Sequence, residues 1–215
     1  MSDVLETFTS EDGLWRVQVC QDDDCGSPRE DTQLGTLITW DRNYNSPDDN
    51  EFSSPDSFEA WWSGKDEDED GHILIHHNCP AKSEGYIRLP VFKYEHSGVA
   101  YRTSDFGDRW DSGQVGWIFS TPESIEETGA PIESIARQLK NEVEEYSKWA
   151  NGECYGYVVT HKIETCDKCH DTEWEDVDSC WGFVGRFYGI PFDTADLPPD
   201  LKLQLEESYY FEESA

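Results

Sequence analysis

Ile132-Glu-Ser-Ile-Ala-Arg-Gln-Leu-Lys-Asn-Glu-Val-Glu-Glu-Tyr-Ser-Lys-Trp-Ala150 sets Ile132, Ile135, Ala136, Leu139, Val143, Tyr146 and Ala150 three or four residues apart. That spacing draws one apolar stripe along a helix and predicts a long amphipathic helix over about 132–150. Asn151-Gly152 follows as its stop, since both residues tolerate the left-handed backbone that ends helices. Next, 154–163 (Cys-Tyr-Gly-Tyr-Val-Val-Thr-His-Lys-Ile) reads as a strand, 164–176 as a polar tip and 178–185 as the returning strand.

Outward from this core, 14–20 alternates like a half-buried strand and 36–41 reads as a second. Residues 53–63 predict a short helix: Ser54 caps, Pro55 suits the first turn, and Phe58, Trp61 and Trp62 share a face. Lys65 to Gly71 is expected as a solvated loop, with strands at 72–77 and 86–94 turning through Pro80 to Gly85. Residues 115–119 read as a buried strand. Thr121-Pro122-Glu123 opens a helix that stops at Gly129. A last short helix is expected over 201–207. The order predicts an α+β fold with a mostly antiparallel sheet, one long helix and two or three short ones. Residues 1–215 are taken as one domain, with the hairpin around 154–185 as a small appendage.

The chain has 215 residues, with 47 acids against 16 bases, a net charge of −31. Hydrophobic residues make up 36%, which alone would suggest disorder. Nine Trp, ten Tyr and ten Phe argue for a folded core built on large rings. No apolar run is long enough to span a membrane, and Met1 to Gly13 is too polar for a signal peptide. Seven cysteines without such a signal favour reduced thiols and a cytosolic setting. The charge repels nucleic acid and anionic lipid and invites cationic partners.

Two passages carry a resemblance. One is Arg109-Trp110-Asp111-Ser112-Gly113-Gln114-Val115-Gly116-Trp117-Ile118-Phe119. The other joins Glu142 to Tyr146, Gly152 to Val158 (Gly-Glu-Cys-Tyr-Gly-Tyr-Val) and Asp178-Ser179-Cys180-Trp181-Gly182-Phe183. Together with Thr39 to Tyr44 and Trp61-Trp62, the set resembles a family of uncharacterised proteins encoded by phages and prophages. The resemblance covers roughly the second half of the chain. It implies no catalytic residues. It does imply an accessory viral gene product acting in the cytoplasm of a bacterial or archaeal host. The Cys166/Cys169 tip departs from the shorter hairpin expected there.

Local chemistry offers three candidates. Cys166-x-x-Cys169-His170 places two thiolates where a tight turn can hold zinc, but a site needs four ligands. Cys180 would lie opposite about residue 160, away from the tip, leaving His170 and a carboxylate such as Asp171 or Glu173. The bland reading is a reduced, ligand-free turn. His72, His76, His77 and Cys79 form a second cluster, in which strand geometry turns His77 away from His72 and His76. Asp111-Ser112-Gly113 is the triplet of aspartic proteases without the apolar strand that should precede it. A turn, with Asp111 bonding backbone amides, suits it better. No P-loop, dinucleotide fingerprint, nucleophile elbow or HExxH is present, so the reading is non-enzymatic.

The acidity is spread along the chain: 41–70 holds eleven acids and two bases, and 164–178 holds seven acids and one Lys. Duplex DNA carries one charge per ~1.7 Å, so the net charge matches roughly 53 Å of duplex. A compact domain of this length is about 44 Å across. Only an excess gathered on one side, an elongated fold or a homodimer would reach that density. The expected function is a phage-encoded inhibitor of a host restriction or CRISPR system, acting as a DNA mimic on a basic protein surface. It binds no nucleic acid directly. The acids expected to carry it are Asp66, Glu67, Asp68, Glu69 and Asp70, then Glu173, Glu175 and Asp176. No cofactor is implied beyond zinc at Cys166, Cys169 and His170. The alternative is an accessory or virion-associated protein whose acidity suits a high-salt host.

Overall fold

The computed structural model describes residues 3–67, 73–75, 79–165, 170–185 and 196–210. In chain order the elements are β1 (Val4–Thr9), β2 (Trp15–Gln21), β3 (Thr36–Thr39), α1 (Pro55–Ser63), β4 (Lys65–Glu67), β5 (Ile73–Ile75), β6 (Arg88–Glu95), β7 (Val99–Arg102), β8 (Ser112–Phe119), α2 (Pro122–Thr128), α3 (Ile135–Ala150), β9 (Cys154–Glu164), β10 (Thr172–Val184) and α4 (Pro199–Tyr210). Short 3-10 turns cover Pro80–Lys82 and Ile132–Ser134. Every strand pairing is antiparallel. The fold is therefore α+β. Where one domain is expected over 1–215, the chain packs as two compact units: Met1–Gly26 with Gly152–Ala215, and Ser27–Asn151.

The discontinuous unit is a sheet of order β1-β2-β9-β10. Its first hairpin turns on Ser10, whose hydroxyl donates to Asp12 and accepts from the Trp15 amide. The Ser10 bond, then the Leu14 amide, holds the Asp12 carboxyl below its ordinary range. Val17 and Val19 on β2 and Tyr157 and Val159 on β9 share one face, and Leu197, Leu201 and Leu205 cover it. The hairpin expected around 154–185 forms, and β2 pairs with it from Trp15 to Gln21. It is half of a four-stranded sheet.

The continuous unit holds a second sheet, β3-β8-β6-β7, with packing on both faces. Alternation decides which side each residue serves. Leu37 and Ile118 point into a cluster with Ile135, Leu139, Val143 and Tyr146 of α3. Their neighbours Ile38 and Phe119 point the other way, into an aromatic cluster with Phe58 and Trp62 of α1. Gly116 is required where β8 meets β3, because an added Cβ would lie 1.9 Å from the Ile38 carbonyl oxygen. Ser54 and Thr121 cap α1 and α2 as expected, and Gly64 and Gly129 close them in the left-handed conformation.

Some boundaries differ from expectation. The first turn of the long helix is 3-10, and Ile132 and Ala136 are exposed; the buried stripe starts at Ile135. Lys65–Glu67 is no loop but a strand paired with Ile73–Ile75. The strands expected at 72–77 and 86–94 form at Ile73–Ile75 and Arg88–Glu95. β10 starts at Thr172, inside the stretch expected as a polar tip.

Candidate partner-binding surface

The two units share the charge unequally. Met1–Gly26 with Gly152–Ala215 holds 22 acids and five bases, a net of −17; Ser27–Asn151 holds 25 acids and eleven bases, a net of −14.

In the continuous unit, key bases are turned inward. The Arg29 side chain is 4% exposed and ties three segments together. Its Nε donates to Asp48 Oδ1 at 2.9 Å, Nη1 to Glu142 Oε2 at 2.9 Å, and Nη2 to Asp48 and the Gly35 carbonyl. Burial would discourage its charge; the Asp48 and Glu142 carboxylates outweigh that and raise its pKa. Lys93, 10% exposed, sits 2.6 Å from both Asp41 and Glu95, under the Tyr44 ring. Burial alone would raise the Asp41 carboxyl, yet the Lys93 ammonium and the Asn43 amide hold it below its ordinary range. Lys93 itself is raised, because Asp41 and Glu95 overcome its desolvation. Lys93 is thus a fixed cation rather than a nucleophile. Arg88 bonds Glu59 and lies over the Trp62 ring.

In the discontinuous unit, Arg16 and Lys162 stand over Trp174, at 4.3 and 5.9 Å from its ring centre. Arg16 Nε also donates to Thr160. Both cations lie over one aromatic ring. The carboxylates of β10 are left outside it.

The expected acids are found in two places. Asp66 and Glu67 lie on β4, with Leu74 and Ile73 as register partners. Asp68, Glu69 and Asp70 lie outside the described residues. Glu173, Glu175 and Asp176 are all exposed on β10. Glu173 and Glu175 oppose Ile163 and His161, whereas Asp176 opposes Thr160. Paired residues share a face, so the register puts Asp176 on the opposite face of the sheet from the two glutamates.

Cys166 and Cys169 lie outside the described residues, as do His72, His76 and His77. His170 adopts a positive φ of 55° and its Nδ1 meets the Glu164 carboxylate across the tip. Cys180 opposes Tyr157 rather than residue 160, because Thr172 already pairs with Glu164, which centres the hairpin about two residues earlier than expected. Among the described residues, no group of three or more His, Cys, Asp or Glu is arranged to hold a metal ion.

The sequence reading missed Trp110, the most exposed large apolar side chain among the described residues, at 89%. It stands in the 103–111 loop, which is tied by local hydrogen bonds. Asp108 accepts from the Trp110 and Asp111 amides, Asp105 accepts from Gly107, and Arg102 lies over Phe106. The turn expected at Asp111 is therefore built by Asp108, whose carboxyl is held low by the Asp111 amide and then that of Trp110. The only sequence signal is a tryptophan between charged residues in a stretch with no periodicity. Tyr44, Glu95, His96, Gly98 and Asn151 line an open polar hollow of about 440 Å³.

No family model, curated protein or solved structure matches the chain. Among the described residues, no helix is long and apolar enough to cross a membrane.

Proposed function

We propose that this chain is a non-enzymatic decoy, an acidic inhibitor that occupies the basic nucleic-acid-binding surface of a host restriction or CRISPR-type defence protein. The reading assumes phage origin and action in the host cytoplasm. The observation that carries it is the charge of the discontinuous unit. That unit has 26 residues from the first segment and 64 from the second. A compact unit of that size has a radius of gyration near ~12 Å, and so is about 31 Å across. Duplex DNA of that length carries about 18 charges. The unit carries a net of −17. By the same reasoning the continuous unit would need about 21 and has −14.

Two features support a protein partner. Exposed Trp110 on a pre-ordered loop has the character of an interface anchor. Carboxylates without cation partners also steer association with a basic surface and make it salt-sensitive.

A second reading keeps the charge as adaptation to a high-salt host, and the spread of acids over both units favours it. Two measurements separate the readings. The first is capture from host lysate at low and high salt, with duplex DNA as competitor. Recovery of a nuclease, restriction subunit or CRISPR effector that DNA displaces supports the decoy. The second is near-ultraviolet circular dichroism at low salt. An empty capture with loss of tertiary signal at low salt would replace the decoy by the salt-adapted accessory protein.

A further inference from the structure

We infer that the outer edge of β10 accepts an extended, Lys- or Arg-bearing segment of another protein as a fifth strand. The inference rests on the basic-partner reading above and names how that partner is held.

β10 is the terminal strand in the order β1-β2-β9-β10, so one edge of it has no strand partner among the described residues. Such an edge is a row of open N–H and C=O groups, a template for another chain. The strand is thirteen residues long, and Thr172 to Gly182 are exposed except half-buried Trp174. Near its end the Gly182 amide is taken by Asp22. The register is uninterrupted from Thr172 to Asp176, before the bulge at Val177. That run is the docking stretch.

Charge chooses the occupant. On its inner side β10 already lies beside cations: Lys162 opposes Trp174, and Arg16 caps the Trp174 ring. The outer side has the same acids and, among the described residues, no strand that brings it such a neighbour. Opposite charges across a strand pair stabilise it and like charges oppose it. A second copy pairing β10 with β10 antiparallel about Trp174 would set Glu173 of one copy against Glu175 of the other. A cationic strand would place its alternate side chains on Glu173 and Glu175. Main-chain bonds would then supply affinity and the alternating cations specificity.

The test uses the full chain and a peptide alternating Lys and Thr, long enough to span Thr172–Asp176. A second peptide has the same sequence with every backbone amide methylated, which keeps the charge and removes the donors. Amide shifts and calorimetry are read at low and physiological salt. The expected result is binding of the first peptide with shifts at Thr172–Asp176, and binding of the methylated peptide about tenfold or more weaker. E173K/E175K should also weaken the first peptide about tenfold. E206K/E207K, an equal charge change on α4, should barely alter it. Equal binding of both peptides overturns strand addition while leaving the decoy reading intact. No binding of either at low salt overturns both. A dimer that E173K/E175K changes would make a second copy the occupant and overturn the proposal.

Discussion

Replacing Arg29 by Ala should destabilise the continuous unit by about 3–5 kcal/mol. The figure follows from what the guanidinium leaves behind. Asp48 and Glu142 are 17% and 11% exposed and face the same cation. Without it, two carboxylates stay buried against each other in a chain of net charge −31. R29K should cost about 1.5–3 kcal/mol, because a point-like ammonium with three donors cannot reproduce the four bonds of the guanidinium, two of them bidentate to Asp48. Nor should an apolar triple replacement, Arg29→Met with Asp48→Leu and Glu142→Leu, be neutral. The carboxylates also accept from the amides of Leu34, Gly35 and Leu37. Each orphaned amide costs about 1–3 kcal/mol. The assay is urea unfolding followed by hydrogen exchange in peptides from β3 and α3, with peptides from β2 and β9 as an internal reference. Separate reading is needed because a two-unit chain need not unfold in one step. A loss below about 1 kcal/mol for R29A, the worth of an exposed ion pair, would refute the reasoning.

D41N should flatten the acid limb of stability in the continuous unit. A carboxyl held low contributes stability above its ordinary pKa of about 4 and loses it as pH falls through the folded value. Lys93, held high, contributes below about 10.4 and loses it only as pH rises through its folded value, so the pair is whole across neutral pH. A pH titration of the melting temperature checks both limbs. G156A should cost the discontinuous unit about 1–3 kcal/mol, since the new Cβ would lie 2.2 Å from the Trp181 ring. Adding W181A should recover part of that loss in thermal unfolding. W110A should leave stability within about 0.5 kcal/mol, given its exposure. It should weaken capture of the partner by about tenfold; unchanged capture would remove Trp110 as an anchor.

The elements that local chemistry specifies were legible from sequence. The Ser54 and Thr121 caps bond the amides three residues on, within one helical turn. The stripe from Ile135 to Tyr146 needs only helical spacing. Two kinds of feature were not legible. Edge strands lack a buried face to impose alternation: β1 buries only Phe8, and β10 buries none of Thr172 to Gly182. Long-range ion networks were also invisible, since Arg29 meets partners 19 and 113 residues away. Nothing in the composition at Gly26 or Gly152 marks where the chain leaves one sheet and returns to it. The candidate surface shares this weakness. Acidity was plain, but the bulge at Val177 and the pairing that makes Thr172 to Asp176 a strand at all, and so alternates Glu175 with Asp176, come from β9.

The placement of the bases bears on why the charge is there. A chain tuned only to high salt can leave its acids to be screened by the medium, because the ions supply the compensation. Here compensation is built in. Arg29 and Lys93 each pair with two carboxylates of the continuous unit, and Arg16 and Lys162 lie on Trp174 in the acidic strand. Phe58, Trp62 and Phe119 add an aromatic cluster whose burial does not depend on salt. Repulsion is thus offset where it would break the fold, and Glu173, Glu175 and Asp176 stay exposed on β10. That division favours a surface kept anionic for a partner. The partner's own cations would supply the missing compensation, which is also why the affinity should fall as salt rises.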